Sequence, residues 1–172
     1  MTVTVAFSDE PRHVLDVAGG FLGSSPVVHN LMLTLLHARV AVPEPGRYWV
    51  ATDDDEAVGV VFQSPAHNPA VVTPMPAGAV AAAVAAIAEA GVELPGVNGD
   101  PATAARFAGG WTEHHRSGAR PVAGQRIYEV ERLVSPTGVP GRLRPARAHD
   151  RDLLVDWLRR FTAEVGDISP GD

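Results

Sequence analysis

Residues 75–80, Met-Pro-Ala-Gly-Ala-Val, lie where a short apolar strand gives way to an Ala-rich helix. Such a junction can do chemistry without a reactive side chain. The first N–H groups of a helix have no carbonyl partner inside it, and the helix end adds partial positive charge. Consecutive N–H groups aimed at one point can hold an anion such as a phosphate. Ala77, Gly78 and Ala79 are therefore the candidate anion-binding residues. Pro74 and Pro76, on either side of Met75, contribute no N–H.

Few other residues group in a way that chemistry needs. His67 lies just upstream and could accept a proton only with a substrate proton in reach. Glu113-His114-His115 lacks the i, i+4 spacing that puts two ligands on one helix face, so no metal site is expected. The acidic run Asp53-Asp54-Asp55-Glu56 lacks the ligand spacing and glycine of a calcium loop and reads as a solvated turn. Ser24-Ser25-Pro26 suits helix capping rather than nucleophilic attack. Arg142, Arg144, Arg147 and Arg151 form a local basic cluster in an acidic chain. No Ser-His-Asp order with a nucleophile elbow occurs.

The elements that must position these residues can be read from periodicity. Val3–Phe7 predicts a strand. Ser8, Asp9 and Glu10 offer caps for a helix with Pro11 in its first turn, fading near Gly19 and Gly20. A second helix is expected from Ser25-Pro26, with Val28, Leu31, Met32, Leu35 and Leu36 on one stripe, ended by Pro43 and Pro45. Tyr48–Thr52 and Ala57–Gln63 flank the acidic turn as a hairpin. Ala70–Thr73 is the next strand. The Ala-rich helix follows, burying Val80, Val84 and Ile87 and stopping at Gly91. Asp100 and Pro101 start a further helix with Ala104, Phe107, Ala108 and Trp111 on its apolar face. Gln125–Val134 alternates and predicts a strand, followed by a turn-rich linker. Residues 142–165 predict a strand and a capped helix faced by Leu154, Trp157, Leu158, Phe161 and Val165. The last residues read as a loose tail.

Composition bounds the function. The 172 residues are 45% hydrophobic and 20% charged, as in an ordinary globular protein. A formal charge of −6 disfavours nucleic-acid binding, which needs a basic face. There is no cysteine, which excludes a disulfide scaffold, a Cys-ligated zinc and a thiol nucleophile. The first residues lack the basic region and apolar run of a signal peptide. No apolar stretch approaches the roughly 20 residues of a membrane span. A cytoplasmic protein with no membrane partner is expected.

The order strand, long helical region, hairpin, strand, helix, short strand, helix, strand resembles the GNAT superfamily of N-acetyltransferases. Specific wording carries the likeness further. "FLGSSPVVHNLMLTLL", "PAHNPAVVTPMP", "LPGVNGDPATAARFAGGW", "QRIYEVERL" and "GRLRPARAHDRDLLVDWLRRF" look like a bacterial subgroup with two GNAT-like halves in tandem. The resemblance implies an α+β fold, a mixed central sheet flanked by helices. It divides the chain into a degenerate GNAT-like domain, 1–135, a linker, 136–141, and the first strand and helix of a second GNAT domain, 142–172. It also implies acetyl-CoA as co-substrate and an amine as acceptor.

Against the pattern that the resemblance implies, the chain departs at each chemical position. The pyrophosphate loop runs Gln or Arg, two residues, Gly, one residue, Gly or Ala. Gly78 matches, whereas Met75 replaces the polar residue and Val80 the small one. The strand Ala70–Met75 carries no Glu to serve as base. The helix after Asn98 carries Phe107 and Trp111, which cannot donate a proton as a phenol does. Tyr128 lies on the later expected strand and reads as a sheet-face residue. Two functions follow as expectations. The intact protein is an N-acetyltransferase whose first half has little activity alone. Alternatively this half is a non-catalytic scaffold that shapes an acceptor pocket or holds a dimer, its partner being a second GNAT domain or another copy of the chain.

Overall fold

Six residues without a charge, Val3–Ser8, form β1 at one edge of a five-stranded sheet. This computed structural model describes residues 3–122, 124–138 and 140–165, and the chain divides between Pro121 and Val122 into two compact units. In the first unit α1 (Pro11–Ser24) and α2 (Asn30–Ala41) precede the hairpin β2 (Arg47–Asp53) and β3 (Glu56–Gln63). Then come β4 (Ala70–Val72), α3 (Ala77–Glu89), β5 (Val97–Gly99) and α4 (Pro101–His115). Spatial strand order equals chain order. The first four strands are antiparallel, and β4 and β5 run parallel. A parallel pair needs a crossover, and α3 is that crossover.

Side-chain alternation assigns the two faces. Tyr48, Val50, Val60 and Phe62 point to one face and bury Val14, Ala18 and Leu22 of α1 with Met32 and Leu36 of α2. Trp49, Ala51, Val61, Ala70 and Val72 point to the other and bury Ala79, Val80, Ala83, Val84 and Ile87 of α3 with Phe107 of α4. Each fully buried Val or Leu contributes roughly 1.5–3 kcal/mol. The expected α+β class, with a mixed sheet flanked by helices, is what forms. The hairpin closes through Asp54 and Asp55, whose φ values of 49° and 66° make the two-residue turn that matches strand twist. Val58 is an extra residue opposite Ala51 and Thr52, a bulge in β3.

Several expected boundaries shift, each for a packing reason. α1 does not fade at Gly19 and Gly20. It continues to Ser24 because Leu22 extends the buried Val14, Ala18 row by one turn. α2 does not begin at Ser25. Residues 25–29 form a turn, closed by the His29 N–H donating to the Ser25 carbonyl at 3.0 Å. The buried His29 imidazole lies 3.0 Å from the Leu22 carbonyl and ties this turn to the end of α1. Of the expected α2 stripe, Met32 and Leu36 are buried, whereas Val28 and Leu31 are exposed.

The Ala-rich helix ends as expected at Gly91, with φ of 66°. The Gly91 N–H donates to Ala88 and the Val92 N–H to Ile87, a Schellman pair that satisfies two end carbonyls. Asp100 caps α4, its carboxylate accepting from the Thr103 N–H at 2.9 Å.

Tyr48 is wholly buried against Phe62, and its hydroxyl, near Ser64, makes no well-formed hydrogen bond among the described residues. Burial pushes its phenol above the ordinary value. The folded state therefore favours the protonated form. Stability from this preference is complete below the unfolded value of about 10 and is lost as pH rises through the folded value. Tyr48→Phe removes an unsatisfied buried group, so it is expected to be neutral or to add up to about 1 kcal/mol near pH 8. It should also carry the alkaline unfolding transition upward. Urea melts at several pH values measure both. A loss of more than about 1 kcal/mol near pH 8 would show that the hydroxyl is bonded.

Among its described residues the second unit holds a 3-10 turn, Ala148–Asp150, and α5 (Arg151–Val165). The expected strand Gln125–Val134 does not form: Ile127, Tyr128, Val130, Leu133 and Val134 are exposed and pair with no strand among the described residues. Residues 142–147 form no strand either. Alternation becomes a strand only where a neighbour completes the ladder. The side chain of Val165 and the tail from residue 166 lie outside the described residues.

Candidate functional site

The candidate anion loop lies between the end of β4 and the start of α3. Thr73 ends the strand in an unusual way. Its N–H donates to the Val60 carbonyl at 3.0 Å, and its hydroxyl accepts from the Val60 N–H at 2.9 Å. One side chain thus replaces the next ladder bond, and the loop is anchored to β3. Two residues on, Met75 turns inward and is only 7% exposed. It packs over Gly59, where an added Cβ would lie 2.8–2.9 Å from the Met75 side chain. The position at which the resemblance implies Gln or Arg is therefore a core position.

The helix start itself is open. The first helical hydrogen bond runs from the Val80 N–H to the Pro76 carbonyl at 3.0 Å, so the N–H groups of Ala77, Gly78 and Ala79 precede it. Ala77 and Gly78 are exposed, and Ala79 is fully buried. A Cβ at Gly78 would meet only a Val3 methyl at 4.0 Å. Among the described residues no contact demands glycine there.

Electrostatics at this end of the sheet oppose an anion. Val3, beside Gly78, pairs with Asp53 across β1 and β2. Trp49 and Ala51 belong to the core under α3, so Asp53, two residues further along β2, falls on the same face. One Asp53 carboxylate oxygen is buried with no hydrogen-bond partner among the described residues. Asp54, Asp55 and Glu56 follow in the turn. No lysine or arginine occurs from Tyr48 to Ala105, the stretch that holds β2 after its first residue, Arg47, then β3 to β5 and the start of α4. That gap in basic residues was legible in the sequence and is the signal that loop grammar alone misses.

The other candidate residues are not brought to this loop. His67 lines an open cleft of about 820 Å³ with Arg47, Glu93 and the Gly91–Pro95 segment. This cleft lies past the C-terminus of α3, whose 13 residues span about 20 Å. His67 is therefore at the opposite end of the helix from Gly78. A shallower groove of about 270 Å³ between α3 and α4 is lined by Ala81, Val84, Ala85, Gly110, Glu113 and His114. His115 instead packs against Trp111, its ring tilted by 39° with centroids 4.3 Å apart. Neither concavity includes residues 73–80. Ser24 donates to the Phe21 carbonyl at 2.7 Å and closes the end of α1.

In the second unit, Arg144 grips Asp150 through two bonds of 2.6 and 2.8 Å, and the Arg147 N–H donates to the same carboxylate at 2.7 Å. Arg144 and this N–H hold the Asp150 carboxyl below the ordinary carboxylate range. This member of the basic cluster is committed to its own helix start. Among the described residues no group of three or more His, Asp or Glu side chains could hold a metal ion, and no helix is long and apolar enough to cross a membrane.

The residues of the loop thus do not fit a pyrophosphate well. Three helix-start N–H groups remain, which any helix offers, but Met75 stands in the core where the polar side chain would be, and among the described residues no lysine or arginine from Tyr48 to Ala105 adds positive charge. Fold and site together define a class, an α+β domain built on a five-stranded mixed sheet with helices on both faces. No family model, curated protein or solved structure matches the chain.

Proposed function

We propose that the first unit is a GNAT-type domain that has lost the handling of acetyl-CoA and serves as a scaffold. Acetyl transfer to an amine, in this reading, is an activity of the intact protein and depends on a second GNAT domain. The observation that carries the scaffold role is the inward turn of Met75 over Gly59, which converts a ligand position into core. The acidic turn at the same end of the sheet supports it. The element order from β1 to α4 matches the order on which the resemblance rests up to its last strand, residues 125–134, which does not form.

One observation favours the enzymatic alternative for this unit. Among the described residues Gly78 has no steric reason to be glycine, and close approach of a ligand to the backbone would supply one. Thermal melting with and without saturating acetyl-CoA separates the two readings. A ligand that binds only the folded state stabilises it by roughly 2.7 kcal/mol at a hundredfold excess over its dissociation constant, and melting would rise by on the order of 5 °C. The expected result is no rise. A clear rise that disappears in Gly78→Glu would establish the cradle and refute the scaffold reading.

A further inference from the structure

We infer that the open cleft past the C-terminus of α3 binds a small zwitterion of the amino-acid type, Arg47 taking its carboxylate and Glu93 its ammonium. The floor of the cleft follows from sheet alternation. Trp49 and Val61 are paired and lie under α3. Arg47 and Gln63, also paired, stand two residues further toward the same end of β2 and β3. They fall on the same face, beyond the point where the helix has stopped. A covering helix would call for apolar side chains there, and both are polar.

The walls are held by named bonds. The turn at residues 65–68 closes through the Asn68 N–H, which donates to the Pro65 carbonyl at 3.0 Å. The fully buried Gln63 amide donates to the Asn68 carbonyl at 3.1 Å and accepts from Arg47 Nη1 at 3.2 Å. The other wall begins at the Schellman turn, and its Val92 and Leu94 are half-buried against the core. The two walls are joined where the Ala70 N–H donates to the Gly96 carbonyl at 2.9 Å. Arg47 is thus oriented by a buried partner that carries no charge.

Charge in the cleft selects the ligand. Arg47 lines it with His67 and Glu93. The ion pairs among the described residues include neither Arg47 nor Glu93. Gln63 engages one Arg47 nitrogen, and a guanidinium has further N–H donors that match a carboxylate. The opposite sign comes from the helix. The C-terminal end of α3 carries partial negative charge, no basic residue stands in its last turn, and Glu93 follows close behind. A simple anion would gain at Arg47 and be repelled at the helix end, and a simple cation the reverse. A ligand with both charges satisfies both, and Val92 and Leu94 offer its side chain an apolar wall. The inference stands apart from the acetyltransferase reading.

Backbone amide NMR of the full chain, titrated with L-leucine, tests it. Signals of residues 66–68 and 91–94 should shift saturably, with half-saturation at or below about 1 mM. Leucinamide lacks the carboxylate and N-acetyl-L-leucine the ammonium. Each should bind more weakly by about tenfold or more. Arg47→Gln and Glu93→Gln should each weaken leucine binding by about tenfold or more. Glu93 is exposed, so Glu93→Gln should otherwise keep the parent spectrum. No saturable shift, shifts confined to other residues, equal binding of either analogue, tighter binding of inorganic phosphate, or parent-like leucine binding by either variant overturns the proposal.

Discussion

Gly99→Val is expected to melt the first unit about 10 °C below the parent, a loss of about 3 kcal/mol. Gly99 pairs with Val72 in the parallel β4 and β5 ladder. A Cβ at Gly99 would fall on the Val72 carbonyl oxygen and lie 2.7 Å from a Val72 methyl. Backbone is the obstacle, so a rotamer change gives no escape. β5 has only three residues, and moving it releases the Ala70–Val97 and Val71–Asn98 partners as well. α4 follows directly behind β5 and would move with it, exposing Phe107. The control is Gly20→Ala. Its Cβ meets nothing within 4 Å, and alanine inside a helix is favoured over glycine by about 0.5–1 kcal/mol. The two glycine variants should shift melting in opposite directions by circular dichroism. A Gly99→Val chain that melts with the parent would mean that β5 is not paired as described.

Met75→Arg is the second large effect, and it separates a lost ligand position from a core position. If the loop were a cradle lacking only its polar residue, restoring that residue would leave stability intact and bring acetyl-CoA binding back. Met75 is buried over Gly59 beneath α3, so a charge there is taken out of water. Burying it unpaired is expected to cost about 3 kcal/mol or more, as breaking a core does. Met75→Leu, close in volume, should cost less than about 1.5 kcal/mol. Urea unfolding gives both losses, and melting with acetyl-CoA gives the functional half. A stable Met75→Arg chain whose melting rises with acetyl-CoA would sink the scaffold reading. A destabilised chain that shows no response supports it.

The two variants also mark how much of the candidate site could be read in advance. The loop, its glycine and the flanking prolines were legible because each acts through its own backbone. Loss of the polar residue was legible from residue type. The destination of the Met75 side chain was not, since a methionine after a strand can face ligand, solvent or core. Gly59, which makes room for it, lies 16 positions earlier on another strand. The acidic turn was visible as a turn, but its place beside the start of α3 depends on the register of Val3 with Asp53.

By itself the sequence determined the local elements that short-range physics controls. Alternation set the β2 and β3 hairpin, and the paired aspartates closed it. Asp100 with Pro101 started α4, and Gly91 stopped α3. Helical spacing picked Val80, Val84, Ile87 and Phe107 for the core. Only the tertiary structure decided what depends on a distant partner. The end of α1 was set by Leu22 finding the sheet, and its glycines alone argued for an earlier stop. The turn at residues 25–29 was set by His29 reaching the Leu22 carbonyl. The alternating segment 125–134 did not become a strand, because a ladder needs a second strand and pattern alone supplies half of it. The direction of β5 followed from the crossover of α3. Strand partners and buried faces are non-local, so they become fixed only when the chain closes on itself.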